Sequence, residues 1–166
     1  MQPRLRFCLT VGTLACAMKL AVCQAVAPAP QRFVCNTGYS IEQCHVQMAV
    51  LRSLLSRYGG ALVGEWTWIL VKSDDWKAIL LQHRMDPDSP AFTVLDRRET
   101  FFEEALVNPV TVRRIELVRK WSLGIDDLLA LAVTHELGHA LCNEKSERKA
   151  DGYGEELRRG EVVVCK

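Results

Sequence analysis

His135, Glu136 and His139 fall in the run His135-Glu136-Leu137-Gly138-His139, two imidazoles four residues apart with a carboxylate beside the first. On a helix, residues four apart share a face one turn above the other, so both rings can ligate one Zn²⁺. Glu136 is turned by about 100° from His135, given 3.6 residues per turn, and can reach a water on the open side of that ion. Zinc lowers the pKa of its water, and a carboxylate beside it can take the proton as the water attacks a carbonyl. A helix that simply carries two surface histidines is the competing reading of these five residues taken alone.

A catalytic zinc takes three protein ligands and keeps a fourth position open. Glu147, in Ser146-Glu147-Arg148-Lys149-Ala150-Asp151, follows His139 by eight residues, enough for a turn and a new helix to bring it back. Asp151 lies one turn further on the same face, placed to accept the other imidazole N–H of a ligand histidine and fix its tautomer. Solvated charges alternating with Arg148 and Lys149 are the competing reading; behind the His135–His139 pair the ligand reading is preferred. Asp151 as third ligand in place of Glu147 stays open. Cys142 shares the face of His135, but its Cα lies ~10.5 Å further along the axis, too far for one ion on a straight helix. His45 and His83 are isolated and read as structural or solvated. Trp66, Trp68 and Trp76 could line a cleft, although two aromatics at i, i+2 on a strand are more often buried together on one face.

The elements that must position these groups are legible from periodicity. Residues 126–142 read as a helix with a broad apolar surface from Leu128, Leu129, Leu131, Ala132 and Leu137, capped by Asp126 or Asp127. Residues 146–159 read as a further helix with Ser146 as N-cap, closed by Gly160. Upstream, 41–58 has helical spacing (Val46, Val50, Leu51, Leu54, Leu55) and ends at Gly59-Gly60. Residues 65–71 (EWTWILV) and 91–96 (AFTVLD) read as strands, 77–83 as a short helix and 86–90 as a turn or loop. The pattern leaves 101–107 ambiguous and 112–120 as helix or strand. A few short strands before paired helices give an α+β class.

Arg4 and Arg6 followed by the apolar run 7–18, then small residues at Ala25 and Ala27, read as a signal peptide over 1–25, with a retained N-terminal anchor as the alternative. Lys19 interrupts the run, and a membrane span needs ~20 apolar residues, so no span is expected in the mature chain. Residues 26–166 then form one domain, opening on a proline-containing linker at 26–31. Losing Arg4, Arg6 and Lys19 takes the net charge from +1 to −2, which gives no reason to expect nucleic-acid or anionic-membrane binding. Of seven cysteines, Cys35, Cys44, Cys142 and Cys165 remain. An even count in an exported chain suggests two disulfides with three possible pairings. Cys35–Cys44 with Cys142–Cys165 is preferred because each closes a short loop; free buried thiols are the alternative.

H-E-L-G-H at 135–139 followed by E-x-x-x-D at 147–151 resembles the gluzincin zinc metallopeptidases of the thermolysin-like clan. The short gap and the S-E-x-x-A-D helix look most like the minimal single-domain type. The likeness covers about 126–159 and extends to the first half in layout. It implies a zincin-like α+β fold: an N-terminal helix and a small twisted sheet with a substrate-binding edge strand, packed on the histidine helix, then a glutamate-bearing helix. It implies one Zn²⁺ per chain held by His135, His139 and Glu147, with Glu136 as general base and Asp151 supporting a ligand histidine. The aspzincins, by comparison, would make Asp151 the third ligand. Tyr153 is the candidate for oxyanion stabilisation, a tyrosine filling core space being the other reading.

The function expected is therefore a secreted or periplasmic metallopeptidase, a monomer acting on a peptide or protein extended along an edge strand at or near 91–96. A zinc hydrolase acting on other amides, such as cell-wall peptides, is a rival of the same class. A non-catalytic zinc-stabilised binding or toxin-like domain is the alternative of a different class. Glu136 favours catalysis, because a purely structural site needs no base beside an open position.

Overall fold

Short strands whose side chains alternate between faces sort the apolar residues of this chain onto two sides of one sheet. A computed structural model describes residues 31–166 in an α+β arrangement; the expected signal peptide at 1–25 lies outside the described residues. The strands are β1 (Gln31–Cys35), β2 (Trp66–Val71), β3 (Ala91–Val94) and β4 (Glu99–Glu103), in the sheet order β1-β2-β4-β3. β1, β2 and β4 are parallel, and β3 runs antiparallel to β4 as one edge of the sheet.

Trp66, Trp68, Leu70, Ala91 and Phe102 point to one face, where α1 (Ile41–Arg57) and α4 (Ile125–Cys142) cover them with Leu51, Leu55, Leu128, Val133 and Leu137. Val71, Phe92 and Phe101 point to the other, covered by Trp76 and Leu80 of α2 (Ser73–His83). α3 (Val112–Trp121) adds Leu117 to the larger core, and α5 (Glu147–Arg158) packs along α4 and adds Leu157. Trp66, Trp68 and Trp76 are all buried in these cores, the outcome the i, i+2 spacing favoured for the first two.

Local chemistry sets most boundaries. α1 opens on a capping box in which the Ser40 hydroxyl accepts from the Gln43 N–H and the Gln43 side chain accepts from the Ser40 N–H. It is followed by Gly59 at φ 84°, a left-handed conformation that suits glycine. Residues 112–120, open between helix and strand, are helical, with the Thr111 hydroxyl accepting from the Arg114 N–H. The ambiguous 101–107 divides into the end of β4 and a 3₁₀ turn at Glu104–Leu106.

Several expectations need correction. Gln31 belongs to β1, not to a linker; this unheralded strand forms because it pairs in register with β2, Gln31 opposite Trp66 through Cys35 opposite Leu70. β3 stops at Val94 because Leu95–Arg97 winds into a 3₁₀ turn. α2 starts at Ser73, four residues early. Gly124, not Asp126 or Asp127, occupies the N-cap of α4; the two aspartates lie in the first turn, where they complement the helix dipole. Ser146 does stand at the N-cap of α5, but its side chain makes no cap hydrogen bond.

Disulfides join Cys35 to Cys44 and Cys142 to Cys165, the pairing that short loops favoured. They tie β1 to α1 and the end of α4 to the C-terminal segment, and they are compatible with an oxidising, extracellular compartment. Among the described residues no helix is long and apolar enough to cross a membrane.

Candidate metal centre

α4 and α5 approach closely because glycines stand at the crossing. A Cβ on Gly154 of α5 would lie 3.0 Å from the His135 backbone nitrogen and 3.1 Å from the Thr134 carbonyl oxygen. Between the helices, Asn143 turns the chain at φ 47°. Glu144 then locks the turn: its carboxylate accepts from the Ser146 N–H at 2.8 Å and pairs with Lys149 at 3.2 Å. That closure brings α5 back across the histidines.

Three donor atoms converge there. His135 Nε2 and His139 Nε2 are 3.1 Å apart; Glu147 Oε2 is 3.0 Å from the first and 3.5 Å from the second. The other ring nitrogens are committed elsewhere. His139 Nδ1 lies 2.6 Å from the Glu144 carbonyl oxygen and His135 Nδ1 lies 2.8 Å from Asp151 Oδ1. Both partners accept, so both Nδ1 atoms carry the hydrogen, which makes Nε2 the lone-pair atom of a neutral imidazole.

Two imidazole lone pairs and a carboxylate oxygen at this spacing repel one another without a cation between them. Ligand atoms bound at 2.0–2.1 Å around a tetrahedral zinc stand about 3.3–3.4 Å apart, and the three distances here bracket that value. Two nitrogens and one oxygen suit zinc better than the all-oxygen preference of Mg²⁺ or Ca²⁺. His135, His139 and Glu147 therefore fit a metal ion, and they are the group of described residues able to hold one. Asp151 sits behind the His135 ring, on the nitrogen facing away from the converging atoms.

Glu136 is 3% exposed, and its Oε2 accepts a 2.7 Å hydrogen bond from the Thr93 hydroxyl on β3. Burial raises its carboxyl to about 7, against the opposing effects of the Thr93 hydrogen bond and the nearby His139, while Glu147 adds to the rise. Glu136, His135, His139, Glu147 and Asp151 all border a cleft of about 710 Å³ walled by β3, Trp121 and the N-terminal half of α4.

The other sequence candidates lie apart from this cluster. Tyr153 is buried, and its hydroxyl meets the Lys166 backbone, donating to the carbonyl at 3.2 Å and accepting from the N–H at 3.0 Å. It is not among the residues that border the cleft. Cys142 is disulfide-bonded, His45 is exposed on α1, and His83 packs against Phe92 and Phe101.

Sequence reasoning missed Thr93 and the Glu144 carbonyl. A threonine in a strand carries no spacing signal, and a carbonyl has no residue type to recognise. Gly138 inside the motif and Gly154 after Tyr153 were visible as helix-interior glycines, a costly choice that signals close packing. No protein-family model, curated protein or solved structure matches this chain.

Proposed function

We propose that the protein is an exported zinc metallopeptidase of gluzincin type with a zincin-like fold, hydrolysing peptide bonds by metal-activated water. The observation that carries this reading is the convergence of His135 Nε2, His139 Nε2 and Glu147 Oε2 beside the buried Glu136, at a cleft bordered by an edge strand. When bound, zinc supplies Lewis acidity, lowering the pKa of a water and stabilising negative charge on the carbonyl oxygen.

The chain's own residues do the rest. Asp151 and the Glu144 carbonyl hold the two imidazoles by their Nδ1–H groups, keeping Nε2 of each turned to the ion. Among the described residues β3 pairs on one side only, so its outer edge offers N–H and C=O groups to an extended peptide. Glu136 takes a proton from the water as the water oxygen bonds to the carbonyl carbon and the carbonyl π electrons move onto oxygen. Collapse of that adduct breaks the C–N bond, and Glu136 passes the proton to the leaving nitrogen, giving a carboxyl group and an amine. Tyr153 has no part in this scheme.

The test is Glu136→Gln. The amide cannot take the proton, so cleavage of a quenched-peptide library should fall by the roughly 10²–10⁴-fold that general-base catalysis contributes. Zinc content and melting temperature should stay near wild type, since Glu136 holds no metal. Equal background rates in wild type and variant would instead make this a zinc-stabilised binding domain.

A further inference from the structure

The Thr93 hydroxyl that meets Glu136 is the last link of a chain crossing the sheet. Trp66 Nε1–H on β2 donates to Thr100 Oγ1 on β4 at 3.0 Å, and Thr100 Oγ1 lies 2.8 Å from Thr93 Oγ1, which donates to Glu136 Oε2 at 2.7 Å. Thr93 and Thr100 stand directly opposite in the β3–β4 register, so the strand pairing itself brings the hydroxyls together.

The direction of this chain is set at its start. An indole N–H only donates, and each hydroxyl has a single hydrogen to give. Thr100 receives from Trp66 and gives to Thr93; Thr93 gives to Glu136. Reversing the chain would leave the Thr100 hydroxyl hydrogen without an acceptor at a residue that is 0% exposed, which protein interiors avoid. Trp66 is buried as well, so water has little access to the chain's start.

We propose that Trp66, Thr100 and Thr93 are a positioning relay that commits Glu136 Oε2 as an acceptor and leaves Oε1 to take and return the catalytic proton. The relay orients the carboxylate from behind, and its last link, Thr93, lies on the edge strand proposed to dock the peptide. Its kinetic consequence rests on the peptidase reading; its existence does not.

Thr93→Val removes the hydroxyl, and Thr93→Ser keeps it. With zinc content unchanged, Thr93→Val should lower kcat roughly ten- to hundredfold with KM within about twofold, as expected when a positioned group is let go, and Thr93→Ser should recover most of the rate. In ¹⁵N-labelled metal-free protein, the Trp66 indole N–H signal should move in Thr93→Val and return in Thr93→Ser. Thr100→Val, which cuts the chain one link earlier, is read in the same way should Thr93→Val fail to fold. An unchanged kcat in Thr93→Val, an equal loss in Thr93→Ser, or an unmoved Trp66 signal overturns the relay. Should wild type cleave no peptide, the peptidase reading falls, and the indole signal alone still decides for or against the relay.

Discussion

Gly138 of α4 and Ala150 of α5 touch backbone to backbone: a Cβ on Gly138 would stand 2.7 Å from the Ala150 carbonyl oxygen and 3.2 Å from its Cα. Ala150 lies between Glu147 and Asp151, so this contact sets how far both carboxylates reach over His135. Gly138→Ala should gain about 1 kcal/mol of helix propensity and lose about 1–3 kcal/mol to overpacking. Backbone cannot rotate out of the way, so the loss should win. Urea unfolding of the metal-free chain should show lower stability, and competition with a chelator weaker zinc binding. Wild-type values for both would mean that α5 has room to shift.

Replacing Glu147 tests the ligand set directly. Purified protein should hold one zinc per chain; Glu147→Ala should lose most of it, and Asp151→Asn should bind roughly 10–100-fold more weakly through the loosened His135 ring. Metal analysis after dialysis against a chelator series reads both. Full zinc in Glu147→Ala together with none in Asp151→Ala would make the aspartate the ligand.

The Cys142–Cys165 bond fastens the C-terminal segment beside Tyr153, whose hydroxyl binds the Lys166 backbone. Breaking it with Cys165→Ser should cost roughly 3 kcal/mol, the loop-entropy figure for a closure of this length. Thiol titration of the oxidised protein in denaturant should find no free thiol at Cys35, Cys44, Cys142 or Cys165, and peptide mapping should recover the two linked pairs.

Glu103 supplies the pH prediction. It is 1% exposed at the end of β4, and burial pushes its carboxyl up to about 7 despite the Arg113 guanidinium 3.3 Å away. A raised carboxyl favours the folded state fully below the unfolded value of 4.5, and that contribution is lost as pH rises through about 7. Relative to wild type, Glu103→Gln should therefore gain roughly 2–3 kcal/mol between pH 5 and pH 8, from the linkage of pKa to stability. Arg113 keeps Glu116 as a partner in the variant. Melting curves at the two pH values read the difference, and a constant offset between the two proteins would rule it out.

What could be read from the residues alone was whatever depends on neighbours along the chain. The i, i+4 placement of His135 and His139 follows from helix geometry, as does the return of Glu147 and Asp151 on one face of the next helix. α1 and α4 announced themselves by apolar period, α5 by Ser146 before it and Gly160 after it, and the disulfide pairs by the shortness of their loops. The α+β class followed from the order of those elements.

The rest was decided by contacts between residues distant in sequence. β1 has too little local pattern to declare itself and exists because β2 pairs with it. Spacing left Glu147 and Asp151 both eligible as third ligand. The depth of the α4–α5 crossing, set by Gly138 and Gly154, brings the first to the Nε2 atoms and the second to Nδ1 of His135. Thr93 reaches Glu136 only because an antiparallel edge strand lies against α4, while Tyr153 is turned to the C-terminal segment. A helix fixes the relative height and angle of its own side chains, but which way a donor or acceptor from another element points depends on packing distances of a few tenths of an ångström. No residue pattern encodes those distances locally.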